Sequence, residues 1–205
     1  MRPKDVAAAI AIVANDPVIR ARYKTSIDQL RSAWLQLLGC EAFCGIVFEE
    51  FQGDTPRLFA AGASVFASHK FVHELKAPPF FWIGPELARR VACGQSPLLS
   101  DREVAAENAD GGLNLILWQL CIDTKDTRRT DVRAQVSAAF FEIHRGFRLK
   151  ELIGLQAVFL EEASWTMDGG AFFLSPANGS YENTINMSLR VVRNPHFHLS
   201  WPTVG

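Results

Sequence analysis

Four histidines occur as two pairs whose spacing suits metal binding. His69 and His73 are four positions apart on a predicted helix, and His196 and His198 are two apart on a predicted strand, so each pair shares one face. Four neutral imidazoles, or three with Glu74, could hold a zinc ion tetrahedrally. The order H-x-x-x-H-E differs, however, from the H-E-x-x-H of metalloproteases. A zinc-dependent hydrolase is therefore one alternative function, and surface or hydrogen-bonded histidines are the simpler interpretation.

The sequence contains no recognised motif for a catalytic nucleophile or for a phosphate-binding loop. Cys40 and Cys44 form C-x-x-x-C, which is neither the redox C-x-x-C nor a usual zinc spacing. No serine lies in G-x-S-x-G, and neither G-x-x-x-x-G-K-[ST] nor G-x-G-x-x-G occurs. Residues 90–95 (RVACGQ) fail the [RQ]-x-x-G-x-[GA] loop of acyl-CoA acyltransferases. We predict no catalytic residue and no cofactor, and a degenerate acyltransferase is the second enzymatic alternative.

Aromatic residues give the clearest candidate for a binding site. Small-molecule pockets are mostly aromatic and apolar walls with a few polar groups. The predicted walls are a consecutive block and one tryptophan of a later apolar run, namely Phe80, Phe81, Trp82 and Trp118. The predicted polar anchor is Arg89 or Asn114. Core packing is the competing interpretation of each ring taken singly.

The first half of the chain reads as helices around a hairpin. Pro3 begins a helix that ends at Asn15-Asp16-Pro17, and apolar residues at helical spacing predict a second helix from Ile19 to Leu37. Residues 42–51 and 57–67 are rich in β-formers and flank a turn, which predicts a β-hairpin. A short helix is predicted from Ser68 to about Lys76.

Three further elements precede the middle of the chain. Pro85 and Glu86 begin a helix that Gly94 ends. Ser100 and Glu103 have capping-box spacing, which predicts a helix over 101–109. Residues 113–122 are apolar on both faces, as in a central strand that is covered on both sides.

The second half is predicted to contain the longest helix and then strands. Periodicity favours a helix over 131–157, whose apolar strip of Leu149, Leu152 and Ile153 would face a second copy of the chain in a homodimer. Strands are predicted at 171–174, 186–192 and 196–201, with a linker at 175–183 before a C-terminal β-hairpin over 186–201. The 205 residues are interpreted as a single domain.

Composition and element order narrow the class of protein. The net charge of −1 argues against direct nucleic-acid binding, and no segment has the roughly 20 apolar residues that cross a membrane. Four cysteines without an export signal predict a cytoplasmic protein. Helices mixed with antiparallel hairpins predict an α+β fold with a mainly antiparallel sheet, like the GAF and autoinducer-binding sensor domains. An acyltransferase-like α/β fold is the alternative.

Several segments together resemble a family of bacterial regulators. They are PPFFWIGPELARR (78–90), SPLLS (96–100), GGLNL (111–115) and HRGFRLKEL (144–152). They resemble the N-terminal half of transcriptional regulators that end in a LuxR-type helix-turn-helix, and the likeness covers about residues 40–157. No helix-turn-helix follows residue 170, where the pattern is of strands. The resemblance implies a small-molecule-sensing or regulatory domain without its own DNA-binding part. An oligomerising module that binds no small molecule remains a further alternative.

Overall fold

Five helices and a mixed sheet make up the described part of the chain. The computed structural model describes residues 1–16, 20, 23, 27–52, 55–75, 82–123, 143–154, 171–174 and 189–193. The helices are α1 (Pro3–Asn15), α2 (Ile27–Leu37), α3 (His69–Leu75), α4 (Ile83–Ala92) and α5 (Asp101–Ala109). The strands are β1 (Phe43–Gln52), β2 (Thr55–Phe66), β3 (Leu113–Ile122), β4 (Leu149–Gly154), β5 (Ala171–Leu174) and β6 (Leu189–Arg193). The α+β prediction is confirmed.

The sheet has the strand order β1-β2-β3-β4-β6-β5. Its neighbouring strands are antiparallel except for β3 and β4, which run parallel. The mainly antiparallel sheet was predicted, but the parallel pair was not. A parallel pair needs a long crossover connection, and residues 123–148 join these two strands. The likeness to GAF domains remains a prediction.

The predicted hairpin is confirmed, with β1 and β2 in antiparallel register from Phe43 opposite Val65 to Gln52 opposite Thr55. Gly62 lets β2 approach β3 closely. A Cβ atom at this position would lie 2.6 Å from Leu120 Cδ1 and 2.8 Å from the carbonyl oxygen of Gln119. A side chain at position 62 would therefore push the two central strands apart.

Strand β3 lies at the centre of the molecule, and all ten of its residues are buried. Helices α1, α2, α3 and α4 cover one face of the sheet, where Ile116 and Trp118 join the larger hydrophobic cluster. The opposite face carries a second cluster that includes Phe66, Val104 of α5, and Leu115. Burial on both faces is what the apolar run of 113–122 predicted.

The helix ends follow their sequence signals. The Ser100 hydroxyl accepts from the Glu103 backbone N–H at 3.4 Å, and the Glu103 carboxylate accepts from the Ser100 N–H at 2.7 Å. Ser68 accepts from the Phe71 N–H at 3.2 Å ahead of α3. Helix α4 begins at Ile83 rather than at Pro85. Proline tolerates this third position because the first N–H groups of a helix have no acceptor within it. None of the helices in the described ranges could span a membrane.

The predicted long helix over 131–157 is wrong in its second half. Only Ile143 and His144 are helical in the described part, and β4 begins at Leu149 after a turn. Leu113 N–H donates to the Arg148 carbonyl at 2.8 Å, which starts the pairing of β4 with β3. Buried backbone groups must be hydrogen-bonded, so the second edge of β3 requires a strand there. The apolar strip therefore lies in the sheet, where Ile153 is fully buried.

The C-terminal predictions are tested only in part. Strand β5 has the predicted bounds, and β6 overlaps the predicted strand 186–192. β6 pairs with β4 on one side and with β5 on the other. The predicted linker 175–183 and the predicted strand 196–201 lie outside the described residues.

Candidate functional site

A cleft of about 720 Å³ opens between the C-terminal end of α2 and the segment that joins α4 to α5. Small-molecule sites are typically clefts of roughly 300–1,000 Å³. The lining residues are Gln36, Leu37, Cys40, Ala42, Val91 and all of 94–103. Its volume falls within that range, and its lining mixes apolar and polar side chains without an aromatic ring.

The segment between α4 and α5 is held in place by backbone hydrogen bonds to the end of β2. Ser68 N–H donates to the Pro97 carbonyl at 2.9 Å, and Leu99 N–H donates to the Phe66 carbonyl at 3.0 Å. Across the cleft, the Asp101 carboxylate accepts from the Glu41 N–H at 2.9 Å. The wall is therefore positioned by backbone hydrogen bonds to the end of β2 and by the Asp101 carboxylate.

The cleft carries an ionised group at the start of α5. Hydrogen bonds from the Ser100 side chain and backbone lower the pKa of Glu103. Leu37, Leu98 and Leu99 supply apolar surface nearby, and Gln36 and Ser96 supply neutral hydrogen-bonding groups. Asp101 and Arg102 also line the cleft. A lining with apolar, neutral polar and charged side chains fits an amphipathic molecule better than a purely apolar one.

Of the predicted aromatic walls, Trp118 lies in the hydrophobic core. It is 1% exposed. Its indole N–H donates to the Tyr23 hydroxyl and to the Gly84 carbonyl, both at 3.1 Å. Trp82 precedes α4 and is half-buried, whereas Phe80 and Phe81 lie outside the described residues. The aromatic pocket therefore remains a prediction.

Arg89, one predicted polar anchor, is engaged on the surface of α4. Its guanidinium donates to both carboxylate oxygens of Glu86, at 2.8 and 2.7 Å. Arg90 donates to Glu86 at 2.8 Å and to Glu74 at 2.5 Å. The hydrogen bond from Arg89, followed by that from Arg90, lowers the pKa of Glu86. These contacts tie α4 to α3.

The Glu86 contacts predict a pH-dependent contribution to stability. The folded pKa lies below the ordinary 4.5, so the contribution is complete above that pH and is lost as pH falls through the folded pKa. We expect Glu86→Gln to cost about 1 kcal/mol at about pH 7 and progressively less as the pH falls below 4.5. Urea denaturation across this range measures it, with the exposed Glu41→Gln as the control. A cost that stays constant down to acid pH would contradict the assignment.

Asn114, the other predicted anchor, meets one of the predicted zinc ligands. Its amide nitrogen lies 3.2 Å from His69 Nδ1, and His69 Nε2 lies 3.1 Å from a Glu107 carboxylate oxygen. A neutral imidazole with its proton on Nε2 satisfies both contacts. Asn114 is buried, whereas His69 is about half exposed. This cluster links α3, α5 and β3, and it does not include Arg89 or Trp118.

The zinc site is not assembled by the part of the chain that the structure describes. Within those residues, no group of three or more His, Cys, Asp and Glu side chains is arranged to hold a metal. His73 is exposed on α3. His196 and His198 lie outside the described residues, so the four-histidine site stays a prediction.

Sequence inspection missed the cleft and one buried polar contact. The Ser64 hydroxyl on β2 lies 2.8 Å from His144 Nε2, and both side chains are buried. No motif joins residues that are 80 positions apart. The available signal for the cleft was the stretch 93–100 between the end of one helix and the capping box of the next, which is long enough to form a wall.

No protein-family model, curated protein or solved structure matches this chain significantly.

Proposed function

We propose that this chain is a small-molecule-binding regulatory domain and that its ligand occupies the cleft between α2 and residues 94–103. The observation that carries the proposal is a cleft of about 720 Å³ with a mixed lining, held open by backbone contacts to the sheet. Ligand sites in proteins are usually preformed in this way.

The resemblance to LuxR-type regulators supports assigning the ligand site to the same cleft. The SPLLS segment (96–100), which is one of the segments that carry the resemblance, forms one wall of it. A sensor region of such a regulator would bind a small molecule and pass the effect to a DNA-binding part. The net charge of −1 on this chain supports assigning DNA contact to another segment or another chain.

A cytoplasmic location belongs to this proposal. None of the four cysteines, all of which lie in the described residues, forms a disulfide bond: Cys40, Cys44, Cys93 and Cys121. Free thiols are kept reduced in the cytoplasm, whereas exported proteins usually pair theirs.

Filling the mouth of the cleft tests the proposal. Gln36 is exposed on α2 and lines the cleft, so Gln36→Trp adds bulk there without disturbing the core. The probe is the amphipathic dye 1-anilinonaphthalene-8-sulfonate, titrated by calorimetry. We expect saturable binding of one dye molecule per chain, weakened at least about tenfold, or roughly 1.4 kcal/mol, by Gln36→Trp.

The matched control is the preceding residue on the same helix. Leu35 is 42% exposed and does not line the cleft, so Leu35→Trp adds similar bulk outside it. Its affinity for the dye should stay within about twofold of the unmodified chain. Unsaturable binding, or equal weakening by both substitutions, would overturn the assignment of the cleft.

A further inference from the structure

A line of three hydrogen-bonding side chains, Cys44, Ser64 and His144, crosses the face of the sheet opposite α1. We call it the thiol relay. Ser64 is fully buried and His144 is 2% exposed. The Ser64 hydroxyl lies 2.8 Å from His144 Nε2. Cys44 lies directly opposite Ser64 in the β1–β2 register, so the two side chains are neighbours on the same face of the sheet. The line runs from a half-buried thiol to a buried imidazole.

The relay can move a proton in one direction without a conformational change. When His144 carries its proton on Nδ1, its Nε2 accepts from the Ser64 hydroxyl, whose oxygen can accept from the Cys44 thiol. The ring of Phe66 packs edge-on against the imidazole, with the ring centroids 6.1 Å apart. The buried imidazole is therefore held where it can take up a proton that leaves Cys44.

The electrostatics of Cys44 explain why a relay matters. Burial raises the pKa of its thiol, while the chain's N-terminal ammonium and the Ser64 hydrogen bond act in the opposite direction. The thiol is thus protonated at neutral pH, whereas the thiolate is the nucleophilic form. The reaction of a neutral thiol therefore requires a group that accepts its proton. Ser64 and His144 together provide that acceptor.

We propose that Cys44 is a nucleophilic site for apolar α,β-unsaturated carbonyl compounds, with Ser64 and His144 as its proton relay. Sulfur bonds to the β carbon of the alkene and the π electrons move to the carbonyl as an enolate. The thiol proton passes to Ser64 and the Ser64 proton passes to His144. The proton returns through Ser64 to the α carbon. S–H has then added across C=C, with no oxidant and no leaving group.

The surroundings of Cys44 favour an apolar compound. Cys44 packs against the second hydrophobic cluster, and so do Phe48 and Phe59. The rings of Phe48 and Phe59 are tilted, with centroids 6.2 Å apart. Their half-buried surfaces offer contact to an apolar chain carried by the electrophile. The proposal does not depend on the cleft beside α2.

The test measures alkylation of each cysteine in the same sample. The probe is 2-cyclohexen-1-one, and peptide mass spectrometry gives one rate for each thiol as a function of pH. Exposed Cys93 is the reference, because the rate of a solvent-exposed thiol increases with pH as its thiolate fraction rises. We expect the Cys44 rate to be nearly independent of pH between about 7 and 8.5, as relay transfer from the neutral thiol requires.

Ser64→Ala breaks the relay and keeps the nucleophile. We expect the Cys44 rate near neutral pH to fall at least about tenfold and its pH dependence to become as steep as that of Cys93. Ser32→Ala removes a surface hydroxyl and should change neither. Buried Cys121 reports on folding, since it reacts only when the chain opens.

Two results would overturn the proposal. One is that alkylation of Cys44 in the unmodified chain is undetectable, or that its rate increases with pH as strongly as the rate of Cys93. The other is an unchanged rate in folded Ser64→Ala. If Cys121 also reacts in Ser64→Ala, that variant has lost its fold, and the pH profile of the unmodified chain decides alone.

Discussion

Trp118→Phe is expected to lower the free energy of unfolding by about 3 kcal/mol. Trp118 is 1% exposed, and its indole N–H is shared by the Tyr23 hydroxyl and the Gly84 carbonyl. Phenylalanine has no N–H group, so both hydrogen bonds are lost, and its smaller ring leaves a cavity. Urea denaturation followed by circular dichroism measures the loss.

Trp34→Phe is the matched control, because the two tryptophans share almost every other property. Trp34 is fully buried, and it packs edge-on against Trp118 with the ring centroids 6.3 Å apart. Both rings also contact Phe43. Among the described residues, however, the Trp34 indole nitrogen is the one buried side-chain polar atom without a hydrogen-bond partner.

The two substitutions should therefore lower the free energy of unfolding by clearly different amounts. An unsatisfied buried donor costs about 1–3 kcal/mol, so its removal offsets much of the smaller ring's cost. We expect Trp34→Phe to stay within about 1 kcal/mol of the unmodified chain. Equal losses in both variants would mean that the hydrogen bonds of Trp118 contribute nothing beyond ring volume.

Elements with local signals were predictable from sequence. Ser100 and Glu103 lie within one helical turn of each other, and the helix that follows them has the predicted bounds 101–109. Gly94, which ends α4, has a φ of +71°, a conformation that favours glycine. In each case the residues that decide the structure are neighbours in sequence, so no tertiary contact is needed to recognise them.

Contacts between distant residues were not predictable. Trp118 was predicted to form a pocket wall, but it lies in the hydrophobic core, where its indole N–H donates to Tyr23, 95 positions away. The cleft requires α2, the end of β2 and residues 94–103 to come together. Its lining side chains form no recognisable motif, because they come from segments far apart in the sequence, around residues 36–42 and 91–103. The contact between Asn114 and His69 was not predictable either, because the two residues are far apart in the sequence.

The segment 149–154 was wrongly predicted to be helical, because its apolar pattern is compatible with both a helix and a strand. Leu149, Leu152 and Ile153 are spaced as on one face of a helix, and a short apolar run of this kind also occurs in strands. Gly146 in the preceding turn was the available signal for a break. The deciding force is long-range, since the buried second edge of β3 needs backbone partners.

Ile153→Ala separates these two interpretations of the segment. In the sheet, Ile153 is fully buried opposite Ile116 in the parallel register, so we expect a loss of about 3 kcal/mol in unfolding free energy with no change in oligomeric state. On an exposed helical strip the same change would leave folding nearly intact and weaken a dimer. Urea denaturation and analytical ultracentrifugation of the same samples distinguish the two results.

Lys150→Ala supplies the control, because Lys150 lies on the same strand with its side chain exposed. Its unfolding free energy should change by no more than about 0.5 kcal/mol. A stable Ile153→Ala variant with reduced self-association would contradict the pairing of β3 with β4 and restore the helical dimer face. A destabilised variant of unchanged mass would instead assign the apolar strip to the core, so that any homodimer of this chain must form through another surface.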